Sequence, residues 1–295
     1  MTELLRGNGA LYDVVQVIRA NVGFKNVSLI RQYAPQAKLI YLNADLHYLR
    51  MERQAELENS DALREEAKSM KAREFSLAEA ADITLVHSEF ERDILHREVP
   101  EAAVAVLPLI EEVVDTSLPH VARKDIMFLG GYNHPPNIDA ANFLLDDIWP
   151  KLSQELPDAK LLLVGANPPQ ELKDRASDRV LVPGKVDDLA PWFDRSRLFV
   201  AALRYGAGAK GKVLASLAHG VPVVATDIAA EGMPMEDGAT VFIANGADGL
   251  AQETLRLYSI SAREWNRYSL DAQDYIQAHH GFGAGLDIMR AVLED

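Results

Sequence analysis

Short, nearly continuous apolar runs recur along the chain, separated by longer stretches in which apolar residues return every three or four positions. A run of the first kind is what a strand buried on both faces of a parallel sheet leaves in a sequence. A stretch of the second kind is an amphipathic helix. Residues 11–18, 38–42, 83–86 and 103–107 predict strands. Residues 26–33 predict a helix that ends before Pro35. The charged region 46–81, with Leu49, Ala55, Leu57 and Leu63 at helical spacing, predicts two helices broken near Asn59-Ser60-Asp61. Asp45 is a natural N-cap for the first of them. Ser88 followed by Glu91 is a capping box that opens a helix over 90–97.

From Asp125 the alternation becomes regular. Strands are predicted at 126–129, 160–164, 180–182, 198–203 and 240–244, with another within the run Val221 to Thr226. A helix capped by Asn137 or Asp139 and running to about 156 carries Ala141, Leu144, Leu145, Ile148 and Leu152 along one side. Shorter helices follow Pro168-Pro169 and cover 189–195, 213–218 and 249–258. A second capping box, Ser261 with Glu264, starts a helix to about 280, the Gly281-Phe-Gly283-Ala-Gly285 stretch breaks it, and 286–293 form a last short helix.

Repeated strand-loop-helix units predict an α/β protein with doubly wound parallel sheets, and ligands in such sheets lie outside the carboxyl ends of the strands. The acidic, Pro119-containing stretch 110–124 reads as a linker. It separates a first domain over 1–118 from a second over 119–272, followed by a helical tail over 273–295 that packs back on the first. A complete doubly wound domain normally opens with a strand, a glycine turn and a helix. The first half lacks that unit, so its domain is expected to be compact or truncated.

The chemistry concentrates in Arg204-Tyr-Gly-Ala-Gly-Ala-Lys-Gly-Lys212, between a predicted strand and a predicted helix. Small residues at such a turn let a ligand approach the backbone, and the unpaired N–H groups of a helix start favour an anion. A diphosphate suits it; a tight turn with glycines serving only backbone geometry is the other reading. Arg204 either meets phosphate or pairs with an acidic neighbour. Composition narrows the partners. A net charge of -14 repels a nucleic-acid backbone, which excludes nucleic acid as a partner. No window approaches the ~20 apolar residues of a membrane span, and no signal peptide opens the chain, so a cytoplasmic protein is expected, with peripheral membrane contact left open. The absence of cysteine removes disulfides and thiolate metal sites, and the scattered histidines, His279-His280 included, predict no metal centre.

Six pieces fall in a recognisable order. They are Phe128-Leu-Gly-Gly131 with His134-Pro-Pro-Asn137, Leu162-Leu-Val-Gly165, Gly184-Lys-Val-Asp-Asp-Leu189, the Arg204 to Lys212 loop, Gly220-Val-Pro-Val-Val-Ala-Thr226 and Ala230-Glu-Gly232. Over roughly 125–238 the chain resembles the retaining GT-B glycosyltransferases of the group 1, or family 4, type. Asp45-Leu-His47, Arg50, Arg53 and Ala81-Asp-Ile-Thr-Leu-Val-His-Ser88 are similar to the latter part of that family's N-terminal domain.

The resemblance implies two Rossmann-like domains and transfer of a sugar from a nucleotide-diphosphate sugar, with retention, to a glycan, lipid or small-molecule acceptor that the sequence does not name. No cofactor and no obligatory metal are implied. Protein groups then neutralise the leaving diphosphate, with Lys210 first and Lys212 second. Gly208 and Gly211 admit the phosphate, Gly130, Gly131 and Gly165 approach it from facing strand ends, and Val186 contacts the base. Asp45 and His47 either line the cleft between the domains on the acceptor side, in a catalytic role, or are structural. The family's usual pair of glutamates is replaced by Ala207 and Ala215, and the second loss removes a contact to the ribose, for which Glu231 is a candidate substitute. Two other readings fit the same residues: a non-catalytic nucleotide- or glycan-binding subunit that needs a partner chain, and a nucleotide-sugar epimerase. Oligomeric state leaves no signal in the sequence.

Overall fold

Val14–Ile18 (β1), Lys38–Leu42 (β2), Ile83–Val86 (β3) and Val104–Val106 (β4) form a parallel sheet in sequential order. The computed structural model describes residues 2–115, 118–233 and 237–294. β2 is apolar from Leu39 to Leu42 because both its faces are covered. Leu39 and Tyr41 pack with Leu5, Ala20, Ile30 and Leu77 on one side, and Ile40 packs with Leu85 and Val292 on the other. The two helices of the charged region appear as His47–Glu58 and Asp61–Ala80. Asn59, left-handed at φ 49°, ends the first, and the Ser60 hydroxyl accepts the Leu63 N–H to begin the second.

Two expectations change at the ends of this unit. Residues predicted to begin the first strand instead follow a helix, Thr2–Asn8, and a 3₁₀ turn, Gly9–Leu11. The preceding helix ends at His279, close to where the glycine stretch is expected to break it, but the closing helix already begins at Phe282 and takes in Gly283 and Gly285. Burial of Ile288, Met289 and Val292 against Ile40 and Leu85 outweighs the poor helix propensity of these two glycines. By contacts, Met1–Leu109, Tyr205–Ala209 and Gly283–Asp295 make one unit, and Ile110–Arg204 with Lys210–Phe282 make the other.

The second unit is built on Asp125–Leu129 (β5), Leu161–Val164 (β6), Val180–Gly184 (β7), Ser196–Ala201 (β8), Val223–Ala225 (β9) and Val241–Ile243 (β10). All pair in parallel in the order β10-β9-β8-β5-β6-β7. From β5 the chain winds outward through β6 to β7, then returns to β8 on the other side and winds outward through β9 to β10. Strand order therefore reverses between β5 and β8, where Phe128 and Phe199 stack with centroids 6.3 Å apart. Arg123, fully buried at the entrance to this unit, donates to the Leu118 (2.9 Å) and Phe193 (2.8 Å) carbonyls and lies over the Trp265 ring. Among the described residues no helix is long and apolar enough to cross a membrane.

The helix after β5 starts at Pro135, not at the expected Asn137 or Asp139. Proline suits the first helical positions, where its missing N–H is not needed. Consequently His134 occupies the N-cap position and Asn137 falls inside the first turn. The helix continues through a π segment, Leu144–Ile148, into Trp149–Glu155.

Candidate functional site

A doubly wound sheet binds ligands where its strand order reverses, outside the carboxyl ends. In the second unit that place is the β5/β8 boundary. The strand ends there are closely fitted. Gly130 N–H donates to the Val164 carbonyl (3.0 Å) and Gly165 N–H to the Gly184 carbonyl (3.1 Å). Gly165 has φ 150°, and a Cβ on it would stand 2.0 Å from the Gly130 oxygen. No side chain fits, so the loops after β5 and β6 can meet only with glycine at this position.

The loop after β8 brings the cations. Arg204 donates from Nε to Asp139 Oδ2 (2.9 Å), an acidic partner of the kind expected for it, and lies over the Phe143 ring. Lys210, only 7% exposed, occupies the N-cap position of the helix Gly211–Ala218. Lys212 follows in the first turn of that helix. Its Nζ donates to Asn137 Oδ1 and stands 5.1 Å from the centre of the Phe128 ring. Asn137 is itself buried and donates through Nδ2 to the Gly131 carbonyl (2.7 Å). Burial, reinforced by the charge of Lys210, pulls the Lys212 ammonium down to about 7. A partly buried amine beside a second lysine at a helix N-terminus is a strong site for an anion.

Gly130, Gly131, Gly165, Arg204 and Lys212 are thus brought together around the turn that follows β5. Val186 comes after the edge strand β7, and Glu231 ends the short helix Asp227–Ala230 after β9, so these two stand on opposite sides of the switch. Ala215 lies one turn after Lys212 in the same helix. Asn137 is the residue that sequence reasoning missed. Its signal was the Pro-Pro pair before it, which shifts the helix start and turns a capping side chain into an internal one.

In the first unit, Asp45 and His47 belong to a polar cluster at the end of β2. Asp45 does not cap the following helix. That task falls to Glu74 of Asp61–Ala80, 1% exposed, whose carboxylate accepts the His47 (2.8 Å) and Tyr48 (3.0 Å) N–H groups. With those N–H groups taken by the Glu74 carboxylate, Asp45 is left to meet side chains. His47 Nε2 lies 3.2 Å from Asp45 Oδ1 and its Nδ1 3.2 Å from Glu74 Oε1, while Arg50 is 3.4 Å from Asp45. The loop Tyr205–Ala209 belongs to this unit as well. Arg53 donates to the Gly206 carbonyl (2.7 Å), and Gly208, at φ 71°, would set a Cβ 3.0 Å from that of Asp45. His87 is packed beside the end of β3, with Nδ1 2.8 Å from the Leu107 carbonyl and a pKa lowered by burial.

Residues 123–259 match the family model described as "Glycosyl transferases group 1". An "Uncharacterized 44.6 kDa protein in cps region" of Klebsiella pneumoniae is 25% identical over 165 residues, which are 53% of this chain and 42% of that protein. Among solved structures the chain is similar to sucrose-phosphate synthase from Thermosynechococcus elongatus, with TM-score 0.81 and 18% identity over 99% of this chain and 76% of that one. It is also similar to Anabaena HepE in complex with UDP-glucose, with TM-score 0.74 and 12% identity over 99% of this chain and 81% of that one. A TarM mutant of S. aureus, in complex with fondaparinux, alpha-GlcNAc-glycerol and UDP, gives TM-score 0.78 and 13% identity over 99% of this chain and 58% of that one. Likeness at these identities establishes the fold, which is the GT-B fold expected from the sequence.

Proposed function

We propose, from the match of residues 123–259 to the group 1 glycosyltransferase model, that this chain transfers a sugar from a nucleotide-diphosphate sugar, with retention and without a metal, to a glycan, lipid or small-molecule acceptor. The observation that carries the reading is the convergence at the β5/β8 switch of the paired strand ends Gly130 and Gly165 with the partly buried Lys212 side chain. The diphosphate occupies this place. When the bond from the anomeric carbon to the phosphate oxygen breaks, the departing diphosphate gains negative charge, and Lys210 and Lys212 supply the positive charge that stabilises it. Asp45 and His47 in the first unit serve the acceptor. The solved UDP and UDP-glucose complexes of similar fold support a uridine nucleotide as the first donor to test.

The test is mass spectrometry of the purified chain incubated with UDP-sugars and simple acceptors, where transferred or hydrolysed sugar is the expected product. An isomerised sugar without acceptor would instead mark an epimerase, and binding without any product a nucleotide-binding subunit. One feature favours that last reading, namely alanine at 207 and 215. Ala215→Glu is accordingly expected to strengthen nucleotide-sugar binding about tenfold, the worth of a carboxylate accepting from hydroxyls. Calorimetry that records no gain would show that this helix face does not meet the ribose.

A further inference from the structure

We infer that Asn137 is the positioning residue of Lys212, and that the pair forms a phosphate ligand loaded by protonation: the amine rests on Asn137 Oδ1 and takes a proton from solvent as the diphosphate binds. This inference rests on the diphosphate site proposed above.

The orientation of the amide is fixed from its other end. Its NH₂ group is committed to the Gly131 carbonyl at 2.7 Å, so only the oxygen is presented to Lys212. Gly130 is what admits Asn137 this closely, since a Cβ there would meet Asn137 Cγ at 2.7 Å. A neutral amide oxygen accepts from an uncharged amine as well as, more strongly, from an ammonium, and it adds no counter-charge, so it fixes the position of Nζ in either state. No carboxylate among the described residues forms an ion pair with Lys212. On its own helix the facing charge is Lys210, and on the neighbouring elements Arg204 and Asp139 pair with each other, with His134 preceding the helix of Asn137. The Phe128 ring lies on the remaining side. Burial and Lys210 together bring the uncharged amine into play near pH 7 and make it the major form above that. A diphosphate reverses the balance, because an opposite charge at close range favours the charged form.

The sign follows by linkage. Lys212 is held below the ordinary lysine value in the ligand-free protein and raised by the ligand, so binding takes up a proton between those two values. Affinity is full below about 7 and falls as pH rises above it, at most tenfold per unit. Phosphate groups ionise near 6, so pH 7 to 9 isolates the lysine.

The experiment is calorimetry of the full chain with UDP, GDP, ADP and inorganic pyrophosphate at pH 7 to 9, in buffers of different ionisation enthalpy. The expected result is uptake of close to one proton near pH 8 and affinity lower by about tenfold at pH 8.5 than at pH 7. Asn137→Asp, which gives the amine a charged partner, and Lys212→Arg, which stays charged throughout, should both bind with a flattened pH profile and no uptake. Thermal unfolding of the two variants confirms that they are folded. Native protein that binds with constant affinity and no uptake overturns the inference and leaves the diphosphate site standing. Failure of all four probes to bind at any pH overturns both.

Discussion

Replacing Lys210 by alanine is expected to weaken nucleoside diphosphate binding by about a hundredfold, as read by calorimetry at pH 7. The side chain is 7% exposed and sits at the start of the helix Gly211–Ala218, so its bond to a phosphate oxygen would form largely away from water. A charge-assisted hydrogen bond in that setting contributes about 1.5–3 kcal/mol, or roughly one to two powers of ten in affinity. Part of the loss is offset by its neighbour. Lys210 is one of the two causes that depress Lys212, so removing it lets the Lys212 ammonium form at higher pH. The variant should therefore lose affinity while its pH dependence moves upward. Unchanged affinity would take the diphosphate away from this loop altogether.

Gly165→Ala is expected to cost at least about 3 kcal/mol of stability in urea unfolding, together with most of the nucleotide affinity. Two independent obstacles meet at one residue. The backbone angle, φ 150°, is one that residues with a Cβ rarely adopt. Even a tolerated angle would leave the added carbon 2.0 Å from the Gly130 oxygen, and that neighbour is backbone, which cannot rotate away. Relief requires the ends of β5 and β6 to part, and with them the peptide of Gly130-Gly131 and the anchor of Asn137. A variant within 0.5 kcal/mol of the native protein would mean that these strand ends are not held as described.

Local signals in the sequence carried most of the fold. β2 and β3 fall on the residues that the continuous apolar runs predict, and the Ser261–Glu264 capping box forms as read. These features depend on neighbours within a few residues. The site was less legible because its links are long. Lys212 finds Asn137 across 75 positions, and Arg204 finds Asp139 across 65. Glu74 reaches back 27 positions to the N–H of His47, and nothing near Asp45 announces that a better cap will arrive from the next helix. Glycine placement partly bridged the gap. Gly165 and Gly208 stood out as places where a backbone is approached closely, but whether the visitor is ligand or protein is settled only by packing: Gly130 lies against the first, the Asp45 turn against the second.

The reversal of strand order also bears on how the second unit is assembled in time. Ile126 pairs with Leu198, so the central contact of the sheet joins segments separated by the whole of β6, β7 and their helices. Closing so long a loop is entropically costly and returns no burial until both sides are present, which makes such pairing slow. The β5/β6 and β8/β9 halves can each gather around nearer partners first. Their union completes the sheet and creates the anion site in a single event, so bound nucleotide would act as a clasp on the most slowly made joint of the unit.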